Sequence, residues 1–129
     1  MIIKSKYKDV DIPEVSLPEY LLQRIEKYGN KTALIDGPTG RSYSYAEFSR
    51  LVKCMAANLA GTGFKPGDTL AIYSPNQPEY AIAFVATVLA GGTVTTINPL
   101  YTATELTKQL QDAYASIIIT TQALSLIHI

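Results

Sequence analysis

Residues 74–120, SPNQPEYAIAFVATVLAGGTVTTINPLYTATELTKQLQDAYASIIIT, decide how this chain folds. They pass from a strand end through a turn into an apolar helix, Gly91-Gly92, a second strand, the Asn98-Pro99-Leu100-Tyr101-Thr102 turn, an amphipathic helix and an Ile-rich strand. Thr93 to Ile97 and Ile117 to Thr120 are rich in β-branched residues and predict buried strands. The helix expected from about Pro78 to Ala90 is apolar on nearly every face, which requires neighbours on several sides. The next, about Ala103 to Tyr114, places Leu106, Leu110 and Tyr114 inward and Lys108, Gln109 and Asp112 outward. Strand, helix, strand, helix, strand predicts an α/β fold: a mostly parallel sheet with right-handed crossovers and helices on its faces.

Working outward, the helix starts are legible. Four times a Ser, Thr or Asn precedes a Glu by three positions: Ser16 and Glu19, Ser44 and Glu47, Asn76 and Glu79, Thr102 and Glu105. In that pattern the first side chain accepts from a free N–H at the helix start and the Glu reaches back to the cap residue's own N–H. Pro18 and Pro78 suit a first turn. A helix is expected over about Pro18–Tyr28, with Leu17, Leu21, Leu22, Ile25 and Tyr28 on one face and Gly29-Asn30 ending it. Ala33–Asp36 and Arg41–Tyr43 predict a short N-terminal hairpin around Gly37-Pro38-Thr39-Gly40. A helix over about Tyr45–Leu59 carries a stripe of Phe48, Leu51, Val52, Met55 and Leu59, with Arg50 and Lys53 opposite. A strand follows at Thr69–Tyr73.

With 129 residues, 47% hydrophobic and 17% charged, the chain has material for one modest core. Eleven basic residues balance eleven acidic ones, so no nucleic-acid partner is expected. Cys54 is the only cysteine, which excludes an internal disulfide, and it is expected as a buried or half-buried packing residue. His128 is the only histidine, so acid–base pairs built on histidine have little to use. The N-terminus lacks a secretory signal, and the uncharged run from Ala81 to Ile97, broken by Gly91-Gly92, is a core element and not a transmembrane segment.

Gly61-Thr62-Gly63 and Gly67 follow a helix and precede a strand, the reverse of a dinucleotide loop. The Gly37–Gly40 turn lacks the Gly-Lys-Ser/Thr ending of a P-loop. Gly91-Gly92 serves a helix end and the close approach of the next strand. Pro99 ends its strand, and Thr102 caps the helix that follows. Glu47, Glu79 and Glu105 are each committed to capping, so no pair of carboxylates is assembled. Tyr43, Tyr45, Tyr73, Tyr80 and Tyr101 are expected as half-buried packing with a polar tip.

Arg41–Phe48 (RSYSYAEF) and Val88–Pro99 (VLAGGTVTTINP), with the Asn-Pro-Leu-Tyr-Thr continuation, resemble two signatures of the AMP-forming acyl-adenylating superfamily. The branch they resemble is that of 4-coumarate–CoA ligases, among acyl-CoA synthetase and luciferase relatives, and the resemblance covers roughly Leu17 to Thr120. It implies a partial N-terminal subdomain of an ATP-dependent acid–CoA ligase. The parent would activate a small carboxylic acid as an acyl-adenylate and pass it to CoA, using ATP, Mg²⁺ and CoA. The family's Ser/Thr/Gly-rich phosphate loop ending Pro-Lys is not in this sequence. No catalytic, cofactor-binding or metal residue is therefore carried over, and the chain alone is expected to be inactive. The implied division is a lead-in at 1–15, the N-terminal part of an AMP-dependent synthetase/ligase domain at 16–123, and a truncation or sequencing scar at 124–129. Cytoplasmic location is expected, a peroxisomal address being a matter for a C-terminus that the scar reading leaves out. Open sheet edges predict aggregation or self-association. The alternative is a self-contained α/β interaction module without catalysis.

Overall fold

The computed structural model describes residues 5–125; Met1 to Lys4 and Leu126 to Ile129, which include His128 and most of the expected scar, lie outside them. Residues 5–16 form no helix or strand. Helix α1 (Leu17–Ile25) begins at Ser16, whose Oγ accepts from the Glu19 N–H at 3.4 Å. Leu22 and Ile25 are buried as expected, but Leu17 is 62% exposed. It is the first residue of the helix, and Pro18 takes the buried place beside it. Tyr28 also leaves the stripe, because Glu26–Tyr28 tightens into a 3₁₀ turn that changes the angular step per residue. Its ring rests 4.9 Å from that of Tyr45. Gly29 ends the turn at φ +50°.

Strands β1 (Thr32–Ile35) and β2 (Ser42–Ser44) pair antiparallel. Helix α2 (Tyr45–Gly61) follows at once through a complete capping box between Ser44 and Glu47. Phe48, Val52, Ala56 and Leu59 are its buried stripe, with Leu51 and Met55 half-buried at its margins. Cys54 does not belong there: it is exposed. At 100° per residue it stands about 200° from Val52, on the side of Arg50 and Lys53. Its Sγ accepts from Asn58 Nδ2 at 3.8 Å.

The main sheet contains β3 (Thr69–Tyr73), β4 (Thr93–Ile97) and β5 (Ala115–Thr120), in the order β4-β3-β5 and parallel throughout. Helix α3 (Pro78–Leu89) joins β3 to β4, and α4 (Ala103–Asp112) carries the chain from β4 past β3 to β5. Alternation along β3 feeds two layers. Leu70 and Ile72 pack with Leu59, Phe64 and Ala83, joined by Val94, Ile117 and Ile119. Ala71 and Tyr73 pack with Ile97 and Leu106 on the other face, joined by Leu110 and Leu124. Leu124 sits in the last turn-length helix, α5 (Gln122–Ser125). A third cluster ties α1, α2 and α3 through Leu22, Ile25, Val52, Ile82 and Ala86, so α3 does meet neighbours on several sides.

The strands flanking β3 are less buried than expected. In β4 only Ile97 is fully buried, and β5 alternates half-buried and exposed residues. The reason is topological: among the described residues the sheet has three strands, and only β3 has a strand on each side. Two expectations for α4 also change. Gln109 turns back to the sheet, its Nε2 donating to Thr95 Oγ1 and to the Thr96 carbonyl, both at 3.0 Å. Tyr114 lies past the helix end at φ +50° and is 88% exposed. That left-handed residue closes the helix, and its backbone turn swings the ring away from Leu110.

Gly91 and Gly92 join α3 to β4 by contact as much as by conformation. Gly91 has φ +81°, and a Cβ on Gly92 would stand 2.4 Å from Phe64 Cε1. Among the described residues no helix is long and apolar enough to cross a membrane.

Candidate functional site

In open α/β sheets the ligand crevice forms outside the carboxyl ends of the strands, where successive connections leave for opposite faces. Here that place is between β3 and β4, since the connection after β3 enters α3 on one layer and the connection after β4 enters α4 on the other. Two loops border it, Ser74 to Gln77 and Asn98 to Thr102.

Both loops use their polar groups on themselves. Ser74 is buried; its hydroxyl donates to the Pro75 carbonyl at 2.9 Å and accepts from Gln77 Nε2 at 3.0 Å. Asn98 Oδ1 accepts from the Leu100 N–H at 3.0 Å, and the Asn98 carbonyl accepts from the Tyr101 N–H at 3.0 Å, closing a turn around Pro99. Thr102 and Glu105 then form a complete capping box. Tyr73 crosses between the loops: it is fully buried, and its hydroxyl reaches the Tyr101 carbonyl at 3.2 Å and the Pro99 carbonyl at 3.4 Å. Two of the tyrosines thus depart from the half-buried expectation, Tyr73 by full burial and Tyr101 by exposure. Neither loop carries a Lys or Arg.

The neighbouring charged cluster was not foreseen. Arg41 Nη1 lies 2.8 Å from Glu79 Oε1, its Nη2 donates to Glu79 Oε2 at 2.9 Å, and the Tyr43 hydroxyl donates to Glu79 Oε1 at 2.7 Å. The Tyr43 hydroxyl is held above its ordinary range, first by that hydrogen bond to Glu79, then by burial and the nearby carboxylate charge. The available signal was that Arg41 and Tyr43, two apart, share one face of a strand. Glu79 consequently makes no cap: α3 starts from Gln77 without a side-chain hydrogen bond, and Asn76 does not fill the expected role. Beside the cluster, Asp36, Gly37, Pro38, Asn76, Gln77 and Pro78 border an open depression of about 250 Å³.

Glu47 and Glu105 do cap as expected, and each carboxyl is held below its usual range by the backbone N–H and hydroxyl of its cap residue. Gly63 and Gly67 adopt φ +90° and +93° in the connection from α2 to β3, where the Gly67 N–H donates to the Gly91 carbonyl. Among the described residues no group of three or more His, Cys, Asp or Glu side chains could hold a metal ion. The arrangement fixes the loops at the strand ends.

Comparison with known proteins gives this arrangement a context. The family described as AMP-binding enzyme matches residues 21–128. The 4-coumarate--CoA ligase 1 of Petroselinum crispum is 37% identical over 121 residues, 93% of this chain and 22% of that protein. Among solved structures, a benzoate CoA ligase from Burkholderia xenovorans LB400 superposes with a TM-score of 0.83 at 26% identity, covering 88% of this chain and 23% of the other. The luciferase-like enzyme of the mealworm Zophobas morio superposes at 0.88 and 23% identity, over 98% of this chain and 30% of that one, and speaks for the fold alone. The chain therefore spans about 22% of the length of the curated relatives it matches. The RSYSYAEF strand-to-helix passage and the Gly91-Gly92 strand entry both lie within the matched residues, and the chain belongs to the AMP-binding enzyme family.

Proposed function

We propose that this chain is the N-terminal framework of an ATP-dependent, AMP-forming carboxylic acid–CoA ligase, and that alone it does not catalyse. The carrying observation is the 37% identity to a 4-coumarate--CoA ligase over 93% of the chain. In the proposed reaction a carboxylate attacks the α-phosphate of ATP, pyrophosphate leaves, and the CoA thiol displaces AMP from the acyl-adenylate; Mg²⁺ would supply charge neutralisation at the phosphates. Such chemistry needs fixed cations around the phosphates. The loops bordering the strand ends carry no Lys or Arg to supply them.

In this reading residues 1–15 are a lead-in and 16–123 are the family's framework, with no catalytic, cofactor or metal residue among them. The protein is cytoplasmic, and the isolated chain self-associates. Mixing it with ATP, Mg²⁺, CoA and a panel of aromatic and aliphatic acids is expected to release no pyrophosphate above background. Substrate-dependent release would overturn the inactivity. Sequencing the gene past codon 129 tests the rest: continuation into a Ser/Thr/Gly-rich segment ending Pro-Lys is expected, and an authentic stop would overturn the framework reading.

A further inference from the structure

Tyr73 and Ser74, consecutive at the end of β3, each send a hydroxyl to a different loop of the crevice. The bonds of Ser74 stay within its own loop. Those of Tyr73 cross to the Asn98–Thr102 turn, 26 and 28 positions further along the chain. The other bonds of that turn are internal: Asn98 Oδ1 with the Leu100 N–H, the Asn98 carbonyl with the Tyr101 N–H, and Thr102 with Glu105. They fix the shape of the turn but not where it lies on the sheet. Its side chains add little grip, Leu100 being 87% exposed. Of these bonds, those of Tyr73 alone reach the turn from another strand. Their lengths, 3.2 and 3.4 Å against about 2.7–2.8 Å for an ordinary O–H···O bond, are those of one proton shared between two carbonyls.

We propose that Tyr73 is a positioning residue: its hydroxyl holds the Asn98–Thr102 turn against the end of β3 and so sets the width of the crevice between the two loops. The side chain is buried with Ala71, Ile97 and Leu106, so the hydroxyl is aimed by the core and not by the loop it holds. A buried hydroxyl is costly unless bonded, which makes the held position the low-energy one. The turn is anchored at both ends, by buried Ile97 in β4 and by the capping box that starts α4. Loss of the hydroxyl therefore frees residues 98–101 and not the sheet. That the crevice belongs to a ligase site rests on the reading proposed above; the hold itself does not.

Tyr73→Phe keeps the ring and removes the hold. In a Cys54→Ser background, nitroxide labels on Asn76→Cys and Leu100→Cys, both at exposed positions, report the separation of the loops by electron paramagnetic resonance. Labelled chain is diluted into unlabelled chain, so that only pairs within one molecule are read. Tyr73→Phe is expected to broaden that separation and shift it to longer distances, with the melting transition retained. Tyr45→Phe, which strips a hydroxyl from α2, is the control and should leave the separation in place. An unchanged separation in a folded Tyr73→Phe chain would overturn the proposal. Should the labelled chains not fold, the wild-type chain decides by NMR. A Tyr73 hydroxyl proton shielded from water and close to the Tyr101 backbone is expected, and one that exchanges freely would overturn the hold. In the longer protein that the gene sequence is expected to reveal, Tyr73→Phe should raise KM for at least one substrate by about three- to tenfold, the worth of one hydrogen bond, with kcat little changed. Unmoved KM values beside a widened crevice would overturn its place in a ligase site. An authentic stop would sink the ligase reading instead, and the label distances still decide the hold.

Discussion

The Tyr43 hydroxyl sits 2.7 Å from Glu79 Oε1, joining the N-terminal hairpin to the first turn of α3. Arg41 adds two contacts to the same carboxylate. Because Arg41 and Glu79 side chains are 49% and 39% exposed, solvent screens the ion pair, and its share is small. Glu79→Ala is expected to cost about 1 kcal/mol in all, mostly through the Tyr43 hydrogen bond. That corresponds to a fall of roughly 3–6 °C in Tm. Amide exchange in Thr32–Ile35 should quicken more than in Thr69–Tyr73. A uniform change in both strands would show that the latch is not local to the hairpin.

The same contact sets an alkaline limit. The Tyr43 pKa is raised in the folded chain, so its contribution is fully present below the unfolded tyrosine value of about 10. It is lost as pH rises through the folded value. The stability advantage of wild type over Tyr43→Phe should therefore be constant at neutral pH and shrink in strongly alkaline solution. Paired denaturant titrations across that range measure it. An advantage that grows with pH would mean the hydroxyl is not the donor.

Four identical-looking cap motifs should respond unequally to Ala. Ser44 and Thr102 sit in complete boxes, Ser16 in half of one, and Asn76 in none. Ser44→Ala and Thr102→Ala are expected to cost about 1 kcal/mol each, and Asn76→Ala close to nothing. Glu47 and Glu105 have lowered pKa values, so their contribution is present above the unfolded carboxyl value of about 4.3 and fades as pH falls through the folded values. The deficit of Ser44→Ala relative to wild type should accordingly narrow in acid. Thermal melts of the four variants at neutral and acid pH check both points.

How far the sequence carried the fold depends on whether the deciding force was local. β3 and β4 start and end at the expected residues, because Pro-Gly-Asp, Gly-Gly and Asn-Pro bound them within the chain. The burial of β4 and β5 was overstated because composition reports a strand's fitness for a core, not whether another strand lies beyond it. Tyr114 fitted the helical stripe, but one left-handed residue broke the period. Cys54 was misplaced by residue type where phase alone would have turned it outward. Glu79 shows the limit for the candidate site: its local motif said cap, and a hairpin 36 to 38 positions away took the carboxylate instead.

Gly92 offers the sharpest test of the framework. An added Cβ would lie 2.4 and 2.5 Å from Phe64 Cε1 and Cζ, and 3.1 Å from the Asp68 carbonyl oxygen. Phe64 is buried under β3 with Leu59, Leu70 and Ile72, so its ring has little room to retreat. The Asp68 carbonyl is fixed by the Thr93 N–H at 2.8 Å. Gly92→Ala is therefore expected to cost about 1–3 kcal/mol, the range for overpacking a filled core. Gly37→Ala, where a Cβ meets nothing within 4 Å and φ is not positive, should lie within about 0.5 kcal/mol of wild type. Phe64→Leu is destabilising by itself, but combined with Gly92→Ala it removes the clashing ring atoms, so the pair should cost less than the sum of the singles. Urea titrations of the four-member cycle give the coupling. Strict additivity would place the strain at the Asp68 carbonyl rather than the ring, and a neutral Gly92→Ala would mean that the approach of β4 to Phe64 is looser than these distances state.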